Sequence, residues 1–198
     1  VPRCLGLTGG IGAGKSEALA AFAALGASTL SSDAVVHDLY ARPDVVAAVV
    51  ERFGPGVRDA AGGVDRRALG ARAFAEPEGI RFLEGLLHPR IAAAREGWVR
   101  AERARVPPPP LLLCEVPLLF EAGLAGHFDA VVVVTAPEEV RRRRVEARGQ
   151  AFAERAGLQW PEERKVAAAD HHLVNDGDLA ALRAWVARVF AAHALAAP

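Results

Sequence analysis

Two apolar patterns alternate along the 198 residues. Continuous apolar runs cover 3–8, 111–116 and 130–135, the last with four valines in succession, and a shorter run covers 171–174. The runs 111–116 and 130–135 fit strands of a parallel sheet buried on both faces, and 3–8 and 171–174 read as short strands. Residues 27–32 read as a further short strand. Between these runs the apolar positions take helical spacing over 15–25, 33–40, 44–53, 66–105, 138–148, 162–169 and 179–194. Pro43 starts the third of these helices, and Gly26 stops the first. The stretch 66–105 carries no strand signal and is expected to break near Pro77 and Pro89, since a proline disfavours the helical region for the residue before it. Residues 54–63 are rich in Gly and Pro and form a loop. Pro107–Pro110 punctuate the chain, and 149–161 is polar and reads as a mobile segment. Strands alternating with helices predict an α/β fold: a three-layer sandwich with a five-stranded parallel sheet.

Length and composition narrow the class. One domain with an inserted lobe suits this length. The 24 Lys and Arg balance 24 Asp and Glu, so the net charge is zero and a bulk nucleic-acid binder is not expected. No apolar run reaches the roughly 18 residues of a membrane span. The opening residues lack the long apolar region of a signal peptide, so the cytoplasm is the expected location and no membrane partner is expected. Cys4 and Cys114 read as reduced thiols in apolar strands. The only lysines are Lys15 and Lys165.

Lys15 belongs to the motif with the most chemistry. Gly9-Gly10-Ile11-Gly12-Ala13-Gly14-Lys15-Ser16 matches G-x-x-x-x-G-K-[ST] between a predicted strand and a predicted helix. Glycines let backbone N–H groups of Gly10, Ile11, Gly12, Ala13 and Gly14 converge on phosphate oxygens. The helix start adds unpaired N–H groups and the positive end of its dipole. Lys15 brings a point charge to the β- and γ-phosphates, and Ser16 offers a hydroxyl to Mg²⁺. This implies nucleoside triphosphate binding, with Mg²⁺ carried in with ATP, and leaves the reaction open. No Asn-Lys-x-Asp guanine motif follows a later strand, and the arginine-rich helix after the fourth strand suits a small-molecule kinase.

Beyond the loop, the order of short motifs resembles the dephospho-coenzyme A kinase family. Ser32-Asp33 falls where that family has its Asp-x-Asp. Asp65-Arg66-Arg67-Ala68-Leu69 with Phe74, Leu87-His88-Pro89-Arg90-Ile91, Val116-Pro117-Leu118-Leu119-Phe120-Glu121, and Gln159, Lys165, Ala169-Asp170 and Asn175-Asp176-Gly177 resemble its other motifs. The resemblance spans nearly the whole chain. It implies transfer of the γ-phosphoryl of ATP to the ribose 3′-hydroxyl of dephospho-CoA. ATP and dephospho-CoA are then the partners, and the chain acts as a monomer or small homo-oligomer. The alternative is a kinase for another small acceptor, such as a nucleoside monophosphate. A nucleotide-dependent switch would keep Lys15 and Ser16 but need no acceptor apparatus.

The resemblance also assigns roles. Asp33 orients or deprotonates the acceptor hydroxyl, and its local alternative is a helix N-cap. Arg148 is the lid arginine, with Lys15 and Asp33 the other catalytic residues, and the lid covers about 144–158. The run Arg141 to Arg144 reads as a solvated helix face. Glu115 closes a Walker B-like strand and holds Mg²⁺ through water, or else pairs with an arginine. Asp33, Arg66, His88 and Leu118 bind the acceptor, and the helical acceptor-binding lobe covers about 60–106. A helix-start salt bridge for Arg66 and a structural hydrogen bond for His88 are the local alternatives. Asn175 and Gly177 wrap the adenine, or form an ordinary turn. His171, His172 and the tryptophans Trp98, Trp160 and Trp185 read as structural. Three positions depart from the family pattern: Glu17, Ser31 and Gly149. Glu17 stands where a second hydroxyl is usual and is expected to point outward.

Overall fold

The structure is a computed structural model and describes residues 1–147 and 159–194. It divides into two compact units, Val1–Ser31 with Val99–Pro198, and Ser32–Trp98.

The first unit is built on five parallel strands: β1 (Cys4–Gly9), β2 (Ser28–Ser31), β3 (Leu112–Glu115), β4 (Ala130–Thr135) and β5 (His171–Val174). Their order across the sheet is β2-β3-β1-β4-β5. All five positions are legible in the sequence, β4 and β5 to the residue. Alternation along the three central strands, β1, β3 and β4, explains their double burial, whereas the edge strands β2 and β5 are half-buried or more exposed. Leu5, Leu7, Leu113, Val132 and Val134 face one core, which Phe22 of α1 (Lys15–Ala24) and Leu182 and Val186 of the C-terminal helix complete. The alternate residues Leu112, Cys114, Val131 and Val133 are buried as well, which is why the runs are continuously apolar. Cys4 and Cys114 are both buried thiols. No described helix is long and apolar enough to cross a membrane.

β1 lies between β3 and β4, so the chain reverses its winding direction there. Ligands of open parallel sheets bind outside the carboxyl ends of the strands at such a point. Register aligns those ends: Leu7 pairs with Glu115, Ser31 with Glu115, and Gly9 with Val134.

The second unit is helical. It contains α2 (Ser32–Leu39), α3 (Pro43–Phe53), α4 (Arg66–Ala73) and most of α5 (Pro77–Arg103). Val45, Val49 and Phe53 share one face of α3 at i, i+4 spacing and pack with Leu39, Val57, Leu69 and Leu87. That shared core explains why this unit starts at Ser32, earlier than the position near 60 expected for the lobe. Asp65 caps α4 by accepting from the backbone N–H groups of Arg67 (2.9 Å) and Ala68 (3.0 Å).

Two helical expectations need correction. α5 runs unbroken through Pro89, so His88 lies mid-helix and is exposed. The proline forfeits only its bond to the Gly85 carbonyl, and Gly85 is exposed to water. The next carbonyl along, of Leu86, accepts from Arg90 Nη1 at 2.8 Å. Asp33 is not an N-cap: it sits inside the first turn of α2, exposed. The helix after β4, α6, spans Glu138–Glu146 and ends before Arg148. It is followed by α7 (Glu162–Ala167) and α8 (Leu179–His193).

Candidate active site

The loop 9–16 joins β1 to α1 at the carboxyl edge of the sheet. Gly12 and Gly14 carry φ of +77° and +101°, values that L side chains rarely adopt. Space excludes a side chain too: a Cβ on Gly12 would meet the Arg141 carbonyl oxygen at 2.6 Å, and one on Gly14 would strike the Asn175 carboxamide. The motif's glycines therefore answer to neighbouring elements as well as to a ligand. Lys15 Nζ donates to the carbonyls of Gly9 (3.1 Å) and Gly10 (3.0 Å), which folds the ammonium back over the loop. Ser16 and Glu17 are exposed in the first turn of α1.

Three side chains from distant segments clamp this loop. Asn175, buried just past β5, donates from Nδ2 to the Ala13 carbonyl at 2.8 Å. Arg144 Nη1 approaches the carbonyls of Gly12 (3.3 Å) and Ala13 (3.5 Å), and its Nη2 donates to the Asn175 carbonyl (3.4 Å). Gln159 accepts from the Ile11 N–H at 3.0 Å. Arg141 ion-pairs with Glu162 at 3.2 Å. Burial raises the Glu162 carboxyl above its ordinary range, and the Arg141 guanidinium opposes that shift.

The arginine run is thus not one solvated face. Arg142 and Arg143 are exposed, whereas Arg141 and Arg144 turn toward the loop. At i, i+3 spacing these two share one side of α6. That spacing is present in the sequence, but four identical residues in a row conceal which pair faces inward.

Glu115 is buried at the end of β3 and accepts from Ser31 Oγ at 3.1 Å. Ser31, the departure from Asp-x-Asp, thus supplies a donor to this carboxylate. The following turn holds Leu118, 38% exposed. Its neighbour Pro117 offers a carbonyl to Thr8 Oγ1 (3.3 Å) and Gln159 Nε2 (3.0 Å). Glu121 pairs with Lys165 at 2.9 Å and accepts from the Trp160 N–H at 2.6 Å. Phe120 and Trp160 stack with ring centroids 5.7 Å apart. The sequence alone assigns no role to Arg141, Arg144, Gln159, Glu121, Glu162 or Lys165. Glu121, Gln159 and Lys165 do stand in the motifs that resemble the family, and Lys165 is a lysine in an arginine-rich chain, but neither signal says what these side chains touch.

Asp33, Arg66 and His88 belong to the second unit, each exposed. Arg66 opens α4 and makes no salt bridge among the described residues. Arg148 and Gly149, and the expected lid beyond Ala147, lie outside the described residues. His171 Nε2 bonds His193 Nε2 at 2.7 Å, and His172 Nε2 bonds Thr135 Oγ1 at 2.7 Å, both structural arrangements. The described residues hold no cluster of three or more metal-ligating side chains.

A family model described as dephospho-CoA kinase matches residues 3–181, the P-loop and the clamping residues included. The chain belongs to the dephospho-CoA kinase family. A dephospho-CoA kinase from Chlorobaculum tepidum is 37% identical over 96% of this chain and 94% of its own length. One from Mesorhizobium japonicum is 41% identical over 92% of each. A solved structure from Thermus thermophilus superimposes with a TM-score of 0.81 at 35% identity, covering 96% of this chain and 97% of its own. The dephospho-CoA kinase match covers both units, so Asp33, Arg66 and His88 fall within it alongside the phosphate loop.

Proposed function

We propose that this chain phosphorylates the ribose 3′-hydroxyl of dephospho-CoA with ATP, giving coenzyme A and ADP. One observation carries the reading: a clamped G-x-x-x-x-G-K-S loop at the reversal point of the sheet, in a chain of the dephospho-CoA kinase family.

Lys15 swings from the Gly9 and Gly10 carbonyls to the β- and γ-phosphates, exchanging two neutral acceptors for charged ones. The loop N–H groups and the unpaired N–H groups of the α1 first turn bind the phosphate oxygens. Ser16 and, through water, Glu115 hold Mg²⁺; hydroxyl and carboxylate oxygens suit that hard cation. Held there with ATP, Mg²⁺ would supply neutralisation of the phosphate charge. Asp33, two residues past β2 along the chain, accepts the proton of the 3′-hydroxyl as it attacks the γ-phosphorus. Arg148 supplies positive charge to the transferring group. Arg66 and His88 of the helical lobe, and Leu118 of the turn after β3, bind the acceptor. Asn175 and Gly177 border the adenine, with the Asn175 carboxamide also fixing the loop. The enzyme works in the cytoplasm as a monomer or small homo-oligomer.

The experiment is ADP release with ATP and Mg²⁺, comparing dephospho-CoA, CoA and AMP as acceptors. Release with dephospho-CoA alone is the expected result. CoA lacks a free 3′-hydroxyl, so release with CoA, with AMP or without acceptor overturns the assignment.

A further inference from the structure

We infer that Gln159 is a positioning residue for phosphoryl transfer, tying the phosphate loop to the turn after β3 through one carboxamide. This rests on the reading that the loop binds ATP.

Three hydrogen bonds define the carboxamide. Oε1 accepts from the Ile11 N–H at 3.0 Å, and Nε2 donates to the carbonyls of Gly9 (3.3 Å) and Pro117 (3.0 Å). One donor and two acceptors around the group fix which end is oxygen, since the flipped amide would set like against like at all three contacts. Among neutral side chains this pattern demands an amide. A carboxylate would face two carbonyls with no proton, and an alkyl chain would leave all three groups unpaired.

Each partner belongs to the reaction machinery or touches it. The Gly9 carbonyl also receives Lys15 Nζ at 3.1 Å, so Gln159 holds the oxygen on which that ammonium rests. The Ile11 N–H belongs to the loop expected to cradle phosphate, and Gln159 Oε1 holds it. Pro117 precedes Leu118, expected on the acceptor side, and its carbonyl also receives Thr8 Oγ1. Gln159 thus spans the nucleotide cradle and the acceptor-side turn.

Its own position is held by its neighbours. Trp160 N–H donates to Glu121 Oε1, the Trp160 ring stacks on Phe120 at an interplanar angle of 9°, and the Arg164 guanidinium covers the Trp160 ring at 3.4 Å. Losing the carboxamide therefore loosens the loop's alignment and leaves the backbone anchored. A shift of order 1 Å in reacting groups costs on the order of 10²-fold in rate.

The test compares Gln159→Leu and Gln159→Glu with the parent in three measurements: steady-state kinetics, calorimetric binding of ADP with Mg²⁺ and no acceptor, and thermal melting. Gln159→Leu is expected to lower kcat about 10- to 100-fold while each KM moves less than about 5-fold. Gln159→Glu is expected to weaken ADP binding by more than about 10-fold at pH 8, because its charge faces carbonyls and phosphate. Its activity relative to the parent should rise as pH falls toward the carboxyl range and an O–H donor returns. That pH-dependent recovery is a signature a purely structural role would not produce. Should Gln159→Leu fail to fold, the isosteric Gln159→Glu carries the test alone. A kcat within twofold of the parent for Gln159→Leu, or Gln159→Glu activity that falls in parallel with the parent's at every pH, overturns the inference. ADP binding is read without an acceptor, so failure of the dephospho-CoA assignment would be seen separately, in the parent enzyme.

Discussion

Lys165 Nζ lies 2.9 Å from Glu121 Oε1, and the lysine side chain has no exposed surface. The pair joins α7 to the turn after β3, beside the stacked Phe120 and Trp160. A buried charge whose partner is removed costs about 3–5 kcal/mol, mostly as desolvation left uncompensated. Lys165→Met and Glu121→Leu are each expected to destabilise the fold on that scale. The double variant should cost less than the sum, because it strands no charge. Urea unfolding of the four proteins measures this; additive losses would show that the two residues act independently.

Asn175→Ala leaves the Ala13 carbonyl without its 2.8 Å donor in a buried place. The expected loss is about 1–3 kcal/mol of stability. Nucleotide affinity should fall as well, since Gly14 and Ala13 lose the group that shapes the loop. Calorimetry with ADP and Mg²⁺ checks the affinity, and a variant that binds ADP like the parent would show that Arg144 and Gln159 hold the loop without Asn175.

Asp33→Asn should lower turnover by about 10²- to 10⁴-fold with ADP affinity little changed, the usual scale for losing a general base. Steady-state kinetics decide it. Turnover within a factor of two of the parent would assign the proton to another group.

Acid sensitivity follows from two histidines. Burial lowers the pKa of His172, and burial with the adjacent Arg3 and His171 lowers that of His193. A lowered folded-state pKa means that the unfolded chain takes up protons first as pH falls below about 6.5. Stability contributed by the neutral rings is therefore complete above that pH and is lost on acidification through the folded-state values. The ceiling is about 1.4 kcal/mol per pH unit for each proton, and partial exposure of the rings keeps the slope well below it. Denaturation midpoints at pH values of about 7.5, 6.5 and 5.5, which bracket the ordinary histidine pKa, should fall in the parent. The fall should flatten in a His172→Gln/His193→Gln variant, and an unchanged slope there would move the effect to other groups.

Much of the fold is legible because its signals are local. Four valines in a row fit a strand buried on both faces, and a Gly-rich turn ending in Lys-Ser between strand and helix fits a phosphate cradle. The carboxyl-edge placement of the phosphate loop and Glu115 follows from the strand positions once the sheet is parallel. Local rules overreach where packing can outweigh them. Pro89 predicts a helix end, but a 27-residue helix packed along one side absorbs the loss of one solvent-facing bond. The sequence places the start of the helical unit too late, because the apolar face of α3 does not reveal that its partners lie in α4 and α5.

The residues that complete the site divide along the same line. Lys15, Ser16 and the glycines stand within eight consecutive positions, so covalent spacing alone dictates that they converge. Arg144, Gln159 and Asn175 reach the same loop from 131 or more positions away, through bonds whose length and direction depend on how α6, the 159–165 segment and β5 pack. A sequence states which donors and acceptors a chain carries. Which of them meet is settled by packing, because a hydrogen bond forms or fails within a few tenths of an ångström and no periodicity encodes that distance.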